Sequence, residues 1–290
     1  MFPALGASKR ILQTYTFRRT SSGDWYLRLP EYYAKLFGLE HSDIMRKSNT
    51  GWHSTEGDYK YAYFIDLTEE EARSVNFFCQ DYQQYVLLGL SDNLKDVCED
   101  ELDFCLALDY NSDSPESLRH GKRTEIGELI YQIKYRKKIV KSSELVEHLI
   151  QALKRILRNK LNGDISISYI PTDRRNKFYL PRSLAGSLIA SGRFQEILDS
   201  RNPLIETTLI KGKAEAKDLH INMKIKLWEN MYTNNNVEID TDVSGRNIVV
   251  VDDLYQSGTT MWLYAKFLKE KGAAQVIGLS CVKTLRDTHN

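Results

Sequence analysis

The stretch from Ile248 to Thr260 reads IVVVDDLYQSGTT. Its four leading apolar residues are typical of a strand that is buried on both faces, as in a parallel sheet. Asp252 and Asp253 follow at the carboxyl end of this strand, where open α/β sheets bind their ligands. The sequence Ser257–Thr260 then opens a helix. This order predicts a strand, an acidic pair, a short loop and a helix, and therefore a ligand site.

The residues after the acidic pair have the properties of a phosphate site. Gly258 lets the backbone approach an anion closely. The hydroxyl groups of Ser257, Thr259 and Thr260 and the free N–H groups at the start of the helix are suited to hold a monophosphate. The two carboxylates are suited to bind sugar hydroxyls or a metal ion. They precede the predicted phosphate site by about the length of one sugar.

Two other phosphate-binding patterns are absent from the sequence. It contains no GxxxxGK[ST] run and no GxGxxG run, which are the signatures of P-loop and dinucleotide-binding proteins. An ordinary strand-loop-helix unit without a ligand remains the alternative.

The length of the chain suits two domains, or one domain with a large extension. The chain has 290 residues and a formal net charge of +1, which gives no general attraction to nucleic acid or membrane. Four cysteines, none in a CxxC pair, predict reduced thiols. The sequence has no signal peptide and no long apolar run, so we expect a cytoplasmic protein with no membrane partner.

Local charge changes sharply along the chain. Residues 66–116 hold fourteen acidic and two basic residues, whereas residues 117–160 hold twelve basic and four acidic ones. The sequence Asp109–Pro115 between them is typical of a linker. We therefore predict an accessory region over residues 1–115 and a second domain over residues 118–290.

Hydrophobic periodicity predicts the elements of both parts. In the second domain, helical patterns over 142–161, 182–189 and 260–271 alternate with strand patterns over 164–170, 248–251 and 275–282. Such alternation predicts an α/β domain with a parallel sheet. In the accessory region the same patterns predict a hairpin over 15–29, a strand over 59–65, and helices over 69–90 and 93–108. These elements form a smaller α+β arrangement. Its aromatic density suits a compact core or, alternatively, a partner surface.

The order of these segments resembles a known family. The acidic pair followed by Ser257–Thr260 resembles the phosphoribosyl-pyrophosphate (PRPP) motif of type I phosphoribosyltransferases. Residues 127–287 resemble the ComF-like branch, through Gln132–Arg136 (an "LKY" segment) and Ile170–Arg175 (a "VP…RR" loop). The sequence departs from that branch at Ala216, Lys224 and Leu227, and at Pro181–Ser183, and it lacks the preceding cysteine-rich zinc module.

The resemblance implies an α/β type I phosphoribosyltransferase domain that depends on Mg²⁺. Asp252 and Asp253 would be catalytic and would hold the 2- and 3-hydroxyls of PRPP, directly or through the metal. Ser257, Gly258, Thr259 and Thr260 would hold its 5-phosphate.

Further groups are predicted for the pyrophosphate. These are Thr172, Asp173, Arg174 and Arg175, which follow a strand end, with Arg182 as a further candidate. The long polar segment Ile205–Asn236 predicts a lid that excludes water, in which Lys224 touches the pyrophosphate and acts in catalysis. For residues 172–175 the alternative is a plain basic turn, and for Lys224 it is a solvated helix face.

Two residues before the phosphate loop bear on the acceptor. Gln256 can exchange hydrogen bonds with a base but cannot remove a proton from it. Tyr255 can stack on an acceptor base or pack in the core. We predict both as acceptor-base residues.

The predicted substrates are PRPP with a nucleobase or, in reverse, a nucleoside monophosphate with pyrophosphate. The general plan is similar to that of phosphoribosyltransferase toxins of anti-phage toxin–antitoxin pairs. It implies a homodimer and an antitoxin or other protein partner for the amino-terminal region. Two alternatives stay open: a non-catalytic sensor of PRPP or nucleotides, and a nucleic-acid adaptor that uses the basic stretch Lys134–Lys160.

Overall fold

The architecture is taken from a computed structural model of the chain. It describes residues 15–55, 59–88, 101–112, 122–157, 164–171, 178–201, 203–209, 221–233 and 236–284. These residues form two compact units. We call them the amino-terminal unit (residues 15–87, with 155–157) and the sheet unit (residues 88–154 and 164–284).

The amino-terminal unit is a four-stranded antiparallel sheet with helices. Its elements are β1 (Thr16–Arg19), β2 (Trp25–Pro30), α1 (Glu31–Glu40), α2 (Ser42–Met45), β3 (His53–Ser54), β4 (Tyr59–Phe64) and α3 (Glu69–Tyr82). The strand order is β1-β2-β4-β3. The predicted hairpin is confirmed, because Thr16 pairs with Arg28 and Arg19 with Trp25.

The core of this unit lies on one face of the sheet. Phe37 of α1 contacts Phe64 of β4 and Phe78 of α3 with edge-on rings at 6.2 and 5.1 Å. Helix α3 begins at a capping box, in which the Thr68 hydroxyl accepts from the Glu71 amide and the Glu71 carboxylate accepts from the Thr68 amide. The aromatic residues therefore build a compact core on this face.

The second sheet has six strands in the order β5-β6-β12-β11-β7-β8, and all of them but β5 belong to the sheet unit. The strands are β5 (Val86–Leu87), β6 (Phe104–Tyr110), β7 (Ile165–Tyr169), β8 (Leu204–Ile205), β11 (Asn247–Tyr255) and β12 (Gln275–Lys283). Strands β6, β12, β11, β7 and β8 pair in parallel, each with its neighbour in this order. The predicted fold class is confirmed: an α/β parallel-sheet domain preceded by a smaller α+β region.

Helices and a small ribbon accompany the sheet. They are α4 (Glu125–Arg136), α5 (Ser142–Leu157), α6 (Leu180–Ala190), α7 (Ile221–Thr233) and α8 (Thr259–Glu270), with a 3₁₀ turn at Ile139–Lys141. An antiparallel ribbon joins β9 (Thr207–Leu209) to β10 (Val237–Ile239). The described part of the predicted lid over 205–236 is thus built from strands and a helix rather than from irregular loop.

The division between the units falls earlier than the sequence predicted. Strand β6 lies in the predicted accessory region, and most of it was predicted as helix, yet it pairs in parallel with β12 in the sheet unit. The boundary is therefore near residue 88 rather than near residue 115. The physical reason is that FCLALDY is a short apolar run, whose periodicity does not separate a buried strand from a buried helix.

Candidate functional site

The acidic pair lies within the central strand of the sheet rather than beyond its end. Strand β11 pairs with β7 up to Val251–Tyr169, whereas its pairing with β12 continues to Tyr255–Lys283. The chain leaves β11 toward β12 and leaves β7 toward β8, so the connections diverge between these two neighbouring strands. Ligands bind at such a switch point, outside the carboxyl ends of the strands. Asp252 and Asp253 stand at that point.

The two carboxylates have different surroundings. Asp253 is 7% exposed and Asp252 is partly exposed. The Asp253 amide donates to Asp252 Oδ1 at 2.8 Å, and Asp253 Oδ2 accepts from Lys134 Nζ at 2.7 Å. The negative charge of Asp253 is therefore balanced by Lys134, while Asp252 is the more accessible acid.

Lys134 belongs to the candidate site, although its role was not predicted from the sequence. It is near the end of α4, with 31% of its side chain exposed. Burial alone would lower the pKa of Lys134, but the charges of Asp253 and Asp252 outweigh it and raise that pKa. The available signal was its place in the "LKY"-like segment Gln132–Arg136, to which no role was attached.

Tyr179 and Cys281 complete the surroundings of the acids. Burial raises the pKa of the Tyr179 phenol, and the charges of Asp252 and Asp253 raise it further. Burial likewise raises the pKa of the Cys281 thiol, again with help from the two aspartates. The thiol is fully buried, and buried cysteines in apolar surroundings are unreactive. Neither residue was predicted.

The predicted phosphate loop is a tight turn into α8. Gly258 precedes the helix with φ +84°, a left-handed conformation that favours glycine. A Cβ at this position would lie 2.2 Å from Tyr255 Oη and 2.5 Å from the Trp262 ring. The hydroxyls of Ser257 and Thr259 are 3.0 Å apart. Ser257, Gly258, Thr259 and Thr260 are thus gathered at the amino end of an α-helix, which attracts anions.

Tyr255 has a structural position that corrects its predicted role. Its side chain is 2% exposed and packs beneath the loop, 6.2 Å from the Trp262 ring centroid. Of the two alternatives from the sequence, the structure shows core packing, so Tyr255 offers no open face to an acceptor base. The cause is the continuation of β11 through Tyr255, which turns this ring inward.

Gln256 follows immediately and is partly exposed. Its backbone oxygen accepts from Lys283 Nζ at 2.7 Å, and the Tyr255 oxygen accepts from the Thr284 amide at 3.0 Å. The buried Lys283 ammonium therefore holds the loop from below. The role of Gln256 toward an acceptor base stays a prediction.

The predicted pyrophosphate residues lie mostly outside the described chain. Thr172, Asp173, Arg174 and Arg175 belong to the segment 172–177, of which the structure describes nothing. Its two flanks are described: Pro171 follows the end of β7, and the charges of Asp252 and Asp253 help to raise the pKa of Tyr179. Arg182, the further candidate, donates to Glu206 at 2.6 and 3.0 Å, so its guanidinium is already engaged.

Lys224 is 8% exposed and lies on α7. The alternative of a solvated helix face predicts a mostly exposed cation, which the buried Lys224 is not. The packing of α7 explains the difference, because Ile225 and Trp228 on the same helix are also buried. Its predicted contact with pyrophosphate stays a prediction.

The described residues contain no group of three or more His, Cys, Asp or Glu side chains that is suited to hold a metal ion. Mg²⁺ needs only one or two carboxylates when substrate oxygens and water complete its coordination. Asp252, with Asp253 behind it, fits a metal that arrives with its substrate and does not form a cage.

No described helix has the length and apolar character needed to cross a membrane.

Comparisons with known proteins give distant matches in fold only. No protein-family model and no curated protein matches the chain. A hypoxanthine-guanine phosphoribosyltransferase from Bacillus anthracis is 14% identical, with a TM-score of 0.29 over 49% of this chain and 65% of that chain. A phosphoribosylpyrophosphate synthetase from Mycobacterium smegmatis is 15% identical, with a TM-score of 0.28 over 48% and 33%.

A hypoxanthine phosphoribosyltransferase from Staphylococcus aureus is 11% identical, with a TM-score of 0.28 over 54% of this chain and 64% of that chain. The chain thus spans less than two thirds of each of these proteins. At such identities and TM-scores the likenesses do not assign a function.

Proposed function

We propose that the sheet unit is a phosphoribosyltransferase that binds PRPP or, in the reverse direction, a nucleoside monophosphate with pyrophosphate. One observation carries the proposal. An acidic pair at the switch point of a parallel sheet is followed, within five residues, by Ser257 and the left-handed Gly258, after which Thr259 and Thr260 open a helix. Carboxylates for a sugar and a helix terminus for a phosphate are joined by one short loop.

The environments of the two acids suggest different roles. Asp252 is the accessible carboxylate and would accept hydrogen bonds from the ribose hydroxyls. Asp253 is buried against Lys134, so it acts mainly by fixing the position of Asp252, whose Oδ1 accepts from the Asp253 amide. Ser257, Gly258, Thr259 and Thr260 would bind the 5-phosphate with hydroxyl and backbone donors.

In the forward direction, the bond from ribose C1 to the pyrophosphate oxygen breaks and a bond from C1 to a base nitrogen forms. That nitrogen loses its proton to water, and the pyrophosphate carries away the bonding electrons. The protein contributes positioning and electrostatic stabilisation and needs no covalent nucleophile. Cys281 agrees with this, because burial raises the pKa of its thiol and makes it a poor nucleophile.

A divalent ion, Mg²⁺ by preference, would supply charge for the pyrophosphate and the sugar hydroxyls, with Asp252 as its accessible protein ligand and Asp253 as the second carboxylate behind it. Thr172, Asp173, Arg174 and Arg175 would contribute donors and cations to the same leaving group. Support for this comes from the described flanks of their segment: β7, which ends just before it, pairs with β11 up to Val251, and the charges of Asp252 and Asp253 raise the pKa of Tyr179 just after it. Gln256 would contact the acceptor base, and Lys224 would contribute to pyrophosphate binding.

Finer features of the proposal come from the general plan of the chain. They are a homodimer, a cytoplasmic location, and action as the toxin of a phage-defence pair that drains nucleotides by running in reverse. The amino-terminal unit would then meet the antitoxin or another protein.

A reaction screen by mass spectrometry tests the enzyme. The full chain with Mg²⁺ is offered PRPP with each nucleobase and, separately, each nucleoside monophosphate with pyrophosphate. Turnover is expected in one mixture, with a loss of at least about a hundredfold in Asp252→Asn. The exposed Asp43→Asn is the matched control and keeps full activity. Turnover that survives unchanged in Asp252→Asn would reject the proposed site.

A non-catalytic sensor of PRPP or nucleotides is the second candidate. The ion pair between Lys134 and Asp253 favours it, since it leaves one accessible acid. Saturable PRPP binding by calorimetry, without turnover in any mixture, would establish the sensor and exclude the enzyme.

A further inference from the structure

One face of the sheet in the amino-terminal unit carries aromatic rings and arginines. Side chains alternate between the two faces of a strand, and the pairing of β2 with β4 places Tyr26 opposite Tyr63 and Arg28 opposite Tyr61. On β1, Arg18 is opposite Tyr26. On β3, His53 is opposite Tyr61. We call this set the tyrosine face: Arg18, Tyr26, Arg28, His53, Tyr59, Tyr61 and Tyr63.

The rings of the tyrosine face form a continuous cluster. Tyr26 lies 5.2 Å from Tyr63 and 5.9 Å from Tyr61, and the last two rings are 5.8 Å apart. His53 stacks on Tyr61 at 5.1 Å. Three adjacent strands therefore present neighbouring π systems on one surface.

Helices cover the opposite face of this sheet, where Leu27, Ala62 and Phe64 are fully buried. The tyrosine face stays accessible, since Tyr63 is 43% exposed and the other rings are partly exposed. A buried core therefore does not explain the aromatic residues on this side.

The charge of this face has one sign. The guanidinium of Arg28 lies 4.0 Å from the centre of the Tyr59 ring, and that of Arg18 lies 5.6 Å from the centre of the Tyr26 ring. Among the described residues at outward positions of the four strands, none is acidic. An anionic ligand with flat groups matches both the charge and the rings.

We propose that the tyrosine face binds a single-stranded polynucleotide. Aromatic side chains on an open sheet stack on unpaired bases, and arginines at the same surface pair with phosphates. The rings are spread over neighbouring strands, which suits successive bases, whereas the bases of a duplex are stacked inside it. RNA and single-stranded DNA share this chemistry, and both are included in the test.

This site differs from the basic stretch Lys134–Lys160, the sequence's own candidate for nucleic acid. There, Lys134 pairs with Asp253 and Lys141 pairs with Glu144. Arg155 contacts Glu40 and Asp81. Three cations of that stretch are thus engaged within the protein.

Fluorescence anisotropy with the full chain tests the proposal. Labelled oligo(dT) and oligo(U) of about 12 nucleotides are used at low and at physiological salt. We expect binding in the micromolar range (about 10⁻⁶ M) at low salt that weakens as salt rises. Tyr61→Leu/Tyr63→Leu should weaken it at least about tenfold, and Arg18→Ser/Arg28→Ser should reduce the salt slope by about one.

Matched controls lie on α3 of the same unit. Phe77→Leu removes a ring that is 61% exposed, and Arg73→Ser removes an exposed arginine. Both should bind like the unmodified chain. Should the tyrosine variant fail to fold, as judged by circular dichroism, the arginine variant decides. Absence of binding at low salt, equal binding of a duplex of the same length, or equal losses in the controls would overturn the proposal.

Discussion

At the residue scale, Lys134 and Asp253 form the innermost charge pair of the candidate site. The lysine reaches from the end of α4 to a carboxylate in the central strand that is 7% exposed. Removing one partner of such a pair leaves a buried charge without compensation, which costs more than the pair itself contributes. This asymmetry makes the pair suitable for a double-mutant cycle.

We predict that Lys134→Met lowers the free energy of unfolding by about 1–2 kcal/mol, a value reduced for the exposed third of the lysine side chain. Lys134→Met/Asp253→Asn should recover part of the loss, because the unpaired charge is then absent. Urea denaturation measures both. Lys138→Met, an exposed lysine just beyond α4, serves as the control. Additive effects of the two substitutions would contradict a direct interaction.

Gly258 gives a second prediction at this scale. An alanine there would adopt a left-handed conformation and would also place its Cβ 2.2 Å from Tyr255 Oη. We expect Gly258→Ala to destabilise the protein by about 3 kcal/mol or more, as strain and overpacking add. It should also weaken phosphate binding.

Gly245→Ala separates strain from collision. Gly245 also has a positive φ, +71°, but no atom of the described residues would lie within 4 Å of a Cβ at this position. This variant should lose only about 1–2 kcal/mol. Thermal denaturation of the two variants side by side decides, and equal losses would show that the collision beneath the loop has no effect.

At the element scale, α7 packs on α8 through stacked rings. Tyr232 lies 6.2 Å from Tyr264 and 5.0 Å from Phe267. The Tyr264 hydroxyl exchanges hydrogen bonds with Ser168 at 2.8 Å and with Thr207 at 2.5 Å. The buried Tyr232 hydroxyl has no hydrogen-bond partner within the described part of the chain. The same chemical change should therefore have opposite effects at these two positions.

We predict that Tyr232→Phe stabilises the protein by about 1 kcal/mol, because it removes a buried polar group. Tyr264→Phe should destabilise it by about 1–2 kcal/mol, because it breaks two buried hydrogen bonds. Each variant is the control of the other, since ring volume is preserved in both. A shift of the same sign in both melting temperatures would contradict this account of the packing.

The elements that the sequence predicted are those with local signals. The run Ile248–Val251 identified the central strand, and the spacing of Ser257–Thr260 identified the start of α8. Strand β6 was predicted as helix, because its partner β12 lies far away in sequence and only that pairing decides its conformation. The strand conformation of β9, within the segment 205–236, was not predictable for the same reason, since β9 becomes a strand only by pairing with β10.

The candidate site follows the same division. Asp252, Asp253 and the phosphate loop belong to one continuous segment, so their proximity could be predicted. Lys134 comes from another segment and reaches Asp253 only in the folded protein. Tyr179, also distant in sequence, comes close enough there for the charges of the acids to raise its pKa. The burial of Tyr255 depends on how far β11 continues, which its composition does not reveal.

At the scale of the whole molecule, buried thiols and phenols predict how stability depends on pH. Burial raises the pKa of Cys79 and Tyr169 to about 12, and it raises that of Cys281 as well. The unfolded chain releases these protons first, so the folded state binds more protons at alkaline pH. Stability is therefore complete below about pH 9 and is lost as pH rises toward and through the folded-state values.

We expect the free energy of unfolding to fall by about 1.4 kcal/mol per pH unit for each such group, above about pH 9 for the two thiols and above about pH 10 for the phenol. Cys281→Ala should flatten the curve by about that slope, whatever it costs at neutral pH. Ser280→Ala, at a buried neighbour on the same strand, should leave the slope unchanged. Denaturant titrations from pH 7 to pH 11 test this, and parallel curves for both variants would contradict it.

The strand order of the large sheet also has a consequence for synthesis. The pairs β5-β6 and β7-β8 are connected, among the described strands, only through β12 and β11. Until a ribosome has delivered residues 247–283, β6 and β7 each keep an apolar edge unpaired. Unpaired edges recruit other chains. The nascent protein is therefore most dependent on chaperones between the completion of its local antiparallel sheet and the arrival of its two central strands.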